Sequence, residues 1–327
     1  MPAKYLNFCT LFDSAYLTRG MTMAQSLFSS DQDCQLYVFA FDTQCESVLK
    51  AWKHPRLKVV SLSEFENEAL LSVKKERTTA EYCWTCTPSV LDYCMKAYGL
   101  DHCTYLDADL FFYSSPRPLI EEMGDKSILI TEHRYSPEYN FSRECGIYCV
   151  QFITFKADAE GLRALDWWRK ACLEWCFDRR EEGRYGDQKY LDDWTERFQG
   201  VHVLKHLGGG VAPWNVQQYE IRNNDGKLYV RQGNTEMPLV FYHFHYLAVL
   251  SSGRVHYGPY RLTDSHRLHI YRFYCDQLMS VRKLLTEKNP DIPLHSDMRD
   301  GFLRRFYHKP LRQRLRPIEN MCEMKYV

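Results

Sequence analysis

Two carboxylates stand two residues apart in Tyr105-Leu106-Asp107-Ala108-Asp109-Leu110-Phe111-Phe112, inside an otherwise apolar run. Leaving both charges unpaired at the end of a buried strand is costly. A divalent cation bridging to a diphosphate removes that cost, since hard oxygen ligands suit Mn²⁺ or Mg²⁺ and the ion neutralises a departing phosphate. Asp107 and Asp109 are therefore the first metal-ligand candidates, with a solvated strand end as the plain alternative. A second apolar run ends in Phe241-Tyr242-His243-Phe244-His245, where the two-residue period of a strand puts both imidazoles on one face. His243 and His245 are candidates to complete the metal shell; taken alone, the pair reads as hydrogen-bonded structural histidines.

A third signal is Tyr185-Gly186-Asp187-Gln188-Lys189-Tyr190-Leu191. Its glycine turn places an acid and an amide at the start of a helix, where Asp187 could cap the helix and also act chemically. A fourth is the loop Gly208-Gly209-Gly210-Val211-Ala212-Pro213-Trp214-Asn215. Its glycines would let backbone approach a phosphate or sugar, unless they only make a turn. Cys83 and Cys86 form one C-x-x-C pair, but Cys94 and Cys103 follow at irregular spacing and no second pair completes a tetrahedral zinc set. Buried thiols are the expectation.

The elements that must position these groups alternate. Strands are expected at residues 5–12, 36–41, 59–62, 104–113, 127–131, 146–155 and 238–246. Helices are expected at 22–29, 88–97 and 159–176, the last carrying Trp167, Trp168 and Trp175 as core residues. Strands separated by helices make a largely parallel sheet covered on both faces, and such sheets bind ligands at the carboxyl ends of their strands.

Composition allows this. The 327 residues are 45% hydrophobic and 15% aromatic, enough for a large core. The 42 basic and 42 acidic residues cancel, so no global field argues for nucleic acid, and no nucleic-acid-binding motif occurs. No apolar run of roughly 18 residues would span a membrane, and no signal-peptide core follows Met1, so a reducing cytoplasm is expected for the thirteen cysteines. Residues 299–316 are basic with interleaved aromatics. That segment could lie peripherally on an anionic inner membrane surface, or be a solvated tail broken at Pro310.

Taken in order, Asp13-x-x-Tyr16, Tyr-Leu-Asp107-x-Asp109, Gly186-Asp187-Gln188 and a late strand-end histidine resemble the GT-A glycosyltransferases close to glycosyltransferase family 8, over roughly residues 5–250. The resemblance implies a GT-A fold, that is, α/β with a Rossmann-like mixed, mostly parallel sheet and helices on both faces. It also implies a nucleotide-sugar donor, often a UDP-hexose, bound Mn²⁺ (or Mg²⁺) and transfer with retention. On it, Asp13 and Tyr16 match positions around the uracil, Asp107 and Asp109 the metal ligands, and Asp187 and Gln188 the pair beside the anomeric carbon. Thr10, Ala108, Gly209, Trp214 and Asn215 join the nucleotide-sugar contacts.

The family's H-x-x-G-x-x-K-P-W stretch is absent, which leaves His243 and His245 as alternatives. Two further departures, Tyr148-Cys149-Val150-Gln151-Phe152 in place of an Asn-x-Gly strand and Trp84-Thr85-Cys86-Thr87-Pro88-Ser89 in place of a basic helix residue, leave the donor open. The expectation is a GT-A domain at 1–260 with a helical, basic extension at 261–327, passing a hexose to a sugar, lipid or protein acceptor. Alternatives are an inverting transferase with Asp187 as base, a sugar nucleotidyltransferase for which Leu17-Thr18-Arg19-Gly20 is a poor phosphate loop, or a lectin-like scaffold.

Overall fold

The computed structural model describes residues 5–250, 254–289 and 321–322. Its centre is a seven-stranded sheet in the order β3-β2-β1-β4-β7-β6-β8. The strands are β1 (Leu6–Phe12), β2 (Cys34–Ala40), β3 (Leu57–Ser61), β4 (His102–Leu106), β6 (Ile128–Glu132), β7 (Tyr148–Lys156) and β8 (Val201–Val203). β3, β2, β1 and β4 run parallel, β7 is antiparallel to both β4 and β6, and β8 returns parallel to β6. All seven residues of β1 are buried, as a central strand covered on both faces requires.

Two cores sandwich the sheet. Alternation along β1 sends Leu6, Phe8 and Phe12 to one face, under helix Leu17–Ser30, and Cys9 and Leu11 to the other. The second face is covered by helices Thr79–Tyr98 and Ala159–Glu174, with Trp168 fully buried and T-shaped against Trp194 at 5.6 Å. Trp167 packs at the edge of that core and Trp175 is buried, so the tryptophan set belongs to packing. On the same face Cys9, Cys94 and Cys103 meet, although the sequence spacing of the last two suggested no grouping.

Three expected elements come out differently. The helix expected at 88–97 runs from Thr79 to Tyr98 and carries Pro88 inside it. It starts early because Thr78 and Glu81 form a reciprocal capping box, and buried Tyr82, Thr85 and Cys86 hold the first turns down despite the proline. The strand expected at 104–113 is two strands. β4 stays in the main sheet, the chain turns at 107–109, and β5 (Leu110–Phe112) leaves to pair with β12 (Phe241–His243). The strand expected at 238–246 likewise divides. Its start closes a three-stranded hairpin sheet of β9 (Glu220–Asn224), β10 (Lys227–Gln232) and β11 (Thr235–Pro238), and only 241–243 continues as β12.

Helix Arg272–Lys288 packs back on the body. Tyr274 stacks on Phe244 at 3.6 Å, and Val281 and Leu285 reach the core under helix Leu17–Ser30. The basic segment 299–316 lies outside the described residues. Among the described residues no helix is long and apolar enough to cross a membrane.

Candidate active site

The break between β4 and β5 creates the site. β4 ends at Leu106, and residues 107–109 turn at the carboxyl edge of the parallel strands before β5 begins. Asp107 N–H donates to Gln151 O at 3.1 Å, and Phe244 N–H donates to Asp109 O at 2.9 Å. The antiparallel register of β5 with β12 then pairs His243 with Leu110, directly after the two carboxylates. His243 Nε2 stands 3.1 Å from Asp109 Oδ1 and 3.9 Å from Asp107 Oδ2.

The two histidines that sequence spacing left as alternatives are placed differently. Residues 244–247 leave the strand, so the two do not share a strand face, and His243 stands close to both carboxylates. His245 packs against Trp214 and Tyr246 in the same cavity.

The second shell of His243 is also built. Its Nδ1 lies 2.8 Å from Gln151 Oε1, an oxygen that only accepts, so Nδ1 carries the proton and Nε2 is the atom left for a cation. Burial alone would lower the His243 imidazole, but the Asp109 and Asp107 charges hold it well above its ordinary value. Burial raises Asp109 and the His243 charge more than reverses that, leaving it at about 2. Asp107 is pushed up to about 6 by burial, with the charge of Asp109 adding to it against His243. Two carboxylates and one imidazole nitrogen thus converge, and that donor set fits a divalent ion.

The pair from the third sequence signal arrives at the same cavity from the far side. Gly186 takes φ +53, a left-handed conformation that favours glycine, and a Cβ there would stand 3.5 Å from the Trp84 ring. Asp187 is buried and does not cap the helix that follows, where Gln188 holds the cap position without a side-chain bond. Its backbone carbonyl instead accepts from Trp168 Nε1 at 2.9 Å, tying the turn to the core. Burial, then the charge of Asp107, push the Asp187 carboxyl up to about 8 against hydrogen bonds that include the Thr87 hydroxyl. Gln188 Nε2 donates to Cys145 O at 2.8 Å. With the nitrogen committed, the amide oxygen is the atom available to the cavity.

One cavity of about 860 Å³ holds these groups together, within the range of ligand sites. Asp13, Tyr16, Asp107, Ala108, Asp109, Asp187, Gln188, Trp214, His243 and His245 all line it. Three expected contacts do not. Thr10 points to the sheet face under helix Leu17–Ser30 and is fully buried there. Asn215 is spent internally, accepting from Ala212 N–H and donating to His133 O and Gly210 O. Gly209 faces the Leu204 and Leu119 side chains. The glycine loop exists for close backbone packing, since a Cβ on Gly208 would stand 1.8 Å from Pro238 O.

Asp13 also builds its own turn, with Oδ1 accepting from Ala15 N–H at 3.0 Å and Tyr16 N–H at 3.2 Å. That leaves the Tyr16 ring, 45% exposed, at the cavity edge with Arg19 over one side. Sequence reasoning missed Gln151, Cys149 and Thr87 as site groups. Cys149 and Gln151 lie two apart on β7, so the strand period signalled a shared face, but nothing local signalled that β7 would adjoin β4.

No protein-family model matches the chain. Among solved structures, it resembles the galactosyltransferase LgtC in complex with donor and acceptor sugar analogues, with TM-score 0.53 and 12% identity over 95% of this chain and 100% of that one. An active-site mutant of LgtC superposes with TM-score 0.50 at 12% identity over 85% of this chain and 96% of that one. At such identity the likeness speaks for the fold. Among curated sequences, the uncharacterized protein YfnD of Bacillus subtilis (strain 168) is 31% identical over 304 residues, 91% of this chain and 94% of its own length. YfnF of the same organism is 33% identical over 256 residues, 76% of this chain and 84% of its own. Sheet order and structural likeness make the fold GT-A, and alignment over most of both lengths makes this chain a member of the family of YfnD and YfnF.

Proposed function

We propose that the chain is a metal-dependent glycosyltransferase that moves a hexose from a nucleotide diphosphate sugar, a UDP-sugar, to a glycan, lipid or protein acceptor with retention. The observation that carries this reading is the meeting of Asp107, Asp109 and His243 with Asp187 and Gln188 in one cavity at the carboxyl ends of parallel strands. The solved relative with sugar analogues bound is a galactosyltransferase of the same fold, which supports the class.

Asp107, Asp109 and His243 would hold Mn²⁺ or Mg²⁺. Bound there, the ion supplies charge neutralisation for the leaving diphosphate. Tyr16 and Asp13 border the end of the cavity suited to the base, and Trp214 offers an apolar wall for the sugar. Gln188, its amide fixed through Cys145 O, would turn its oxygen toward the positive charge that develops at the anomeric carbon. The acceptor hydroxyl attacks that carbon as its bond to the phosphate oxygen breaks, and the hydroxyl proton passes to the departing phosphate.

Asp187 as the base of an inverting reaction is the competing reading. Burial, the largest influence on Asp187, pushes its carboxyl up to about 8 and so disfavours the ionised form a base needs. That supports retention. The test is a panel of nucleotide sugars with purified protein and Mn²⁺, scored by thermal shift and donor hydrolysis, followed by proton NMR of the first product. An α-linked product from an α-linked donor is expected; a β-linked product would refute retention, and no donor response would refute the class. The sequence alone further motivates peripheral contact of residues 299–316 with an anionic membrane. Truncation there should reduce sedimentation with anionic vesicles, and unchanged sedimentation refutes it.

A further inference from the structure

The sulfur of Cys149 has no part in the reaction described above, yet it sits among the groups assigned to the metal. Cys149 is 4% exposed, lines the cavity, and lies on β7 two residues before Gln151, the partner of His243 Nδ1. The Cys149 Sγ, an Asp107 carboxylate oxygen and a His243 ring nitrogen all fall within 4.8 Å of one another. Around one ion with bonds of about 2.0–2.3 Å, neighbouring ligand atoms stand roughly 3–4 Å apart. A set already this compact closes by side-chain adjustment alone.

Chemistry gives the arrangement a consequence. Carboxylates alone suit Mg²⁺ and Mn²⁺, whereas thiolate and imidazole suit Zn²⁺, Co²⁺ and Fe²⁺. Cys149 belongs to a buried cluster with Trp214 and Tyr260, where a small apolar residue would serve packing alone. We propose that Cys149 is a sulfur ligand of the metal centre, alongside Asp107, Asp109 and His243, and that it tunes the site toward a borderline transition ion. On binding, the Sγ–H bond is lost as the sulfur–metal bond forms, and the proton leaves to solvent. The proposal rests on the metal reading given under the proposed function.

The probe is Co²⁺, titrated into the full chain with and without UDP and followed by absorption. A thiolate-to-cobalt charge-transfer band in the near ultraviolet is expected in the parent protein, and Cys149→Ser should abolish it. Calorimetry should show Zn²⁺ affinity falling about tenfold or more in that variant, with Mn²⁺ affinity nearly unchanged, since serine keeps a hard oxygen at the position. Cys145→Ser, in the same cavity but outside the cluster, should keep the band. Cobalt bound with no thiolate band in the parent would overturn the Cys149 proposal and leave the carboxylate–histidine site standing. A band that survives Cys149→Ser would arise from other thiols, such as Cys9, Cys94 and Cys103, and would overturn it as well. No cobalt bound with or without UDP would overturn both this proposal and the metal reading. Because the parent spectrum alone can refute the idea, poor folding of the serine variant does not protect it.

Discussion

Replacing His243 with alanine in metal-free protein tests the central arrangement without any turnover. In the parent, the imidazolium compensates Asp109 at 3.1 Å and bonds Gln151 at 2.8 Å. The fall of Asp109 from 3.8 to about 2, against burial and with His243 the largest of the charges lowering it, corresponds to about 2 kcal/mol of charge compensation at neutral pH. The lost Gln151 bond adds about 1 kcal/mol, so the total is about 3 kcal/mol. With about 2.1 cal/mol/K of unfolding entropy per residue over 327 residues, the slope is about 0.7 kcal/mol per degree, and Tm should fall by about 4 °C.

The sign with pH follows from both partners. The Asp109 share is complete above its ordinary 3.8 and is lost as pH falls through about 2. The His243 share is complete below 6.5 and is lost as pH rises through its elevated value. The gap between parent and variant should therefore be widest near pH 5 to 6 and narrow on both sides. Adding Asp109→Asn to His243→Ala should recover about 2 kcal/mol, because it removes the carboxylate left without its partner. His245→Ala should lower Tm by less than His243→Ala, since its charge acts on Asp109 less strongly than that of His243. Differential scanning calorimetry in chelator is the assay. A His243→Ala variant melting within a degree of the parent, or His245→Ala losing as much, would refute the pairing.

Gly208→Ala should cost about 1–3 kcal/mol, because its Cβ meets Pro238 O at 1.8 Å and Gly208 O holds Val240 N–H at 2.9 Å; a neutral denaturant midpoint would contradict that. Asp31 is held below its ordinary value, burial opposing but hydrogen bonds from Ser115 at 2.6 Å and Arg117 at 3.2 Å prevailing. Its stabilisation is present above 3.8 and lost as pH falls, so the stability gap between parent and Asp31→Asn in urea melts should shrink from pH 7 to pH 3, and a constant gap would count against it. Gln188→Ala should lower transfer by about ten- to a thousandfold, the range for losing one electrostatic stabiliser, while calorimetric UDP affinity stays nearly unchanged. Parallel losses in both would assign Gln188 to nucleotide binding instead.

Much of this was local and therefore readable. Asp107 and Asp109 stand out because charge inside an apolar run demands compensation, and the strand–helix alternation implies a parallel sheet whatever its partners. Gly186 before Asp187 and Gln188 marks a turn because few residues other than glycine settle at positive φ. The ordered set of motifs carried the fold further, since the spacing between them reflects the whole architecture.

What stayed hidden depends on which strands become neighbours. The split of 104–113 into β4 and β5 is decided by β12, more than a hundred residues later, taking Leu110–Phe112 as its partner. That pairing also brings His243 beside the carboxylates, and the chain turns away immediately after it. Likewise the alternation of β1 gave Thr10 a face, but only the helix packed on that face sends it into the core and not the cavity. Gln151 and Cys149 became site groups because β7 lies antiparallel beside β4. Residue types and short-range periodicity are properties of the chain, so sequence determined the elements and the candidate chemistry; strand adjacency is a balance of long-range burial and hydrogen bonding, so the tertiary structure alone decided which candidates meet in one cavity.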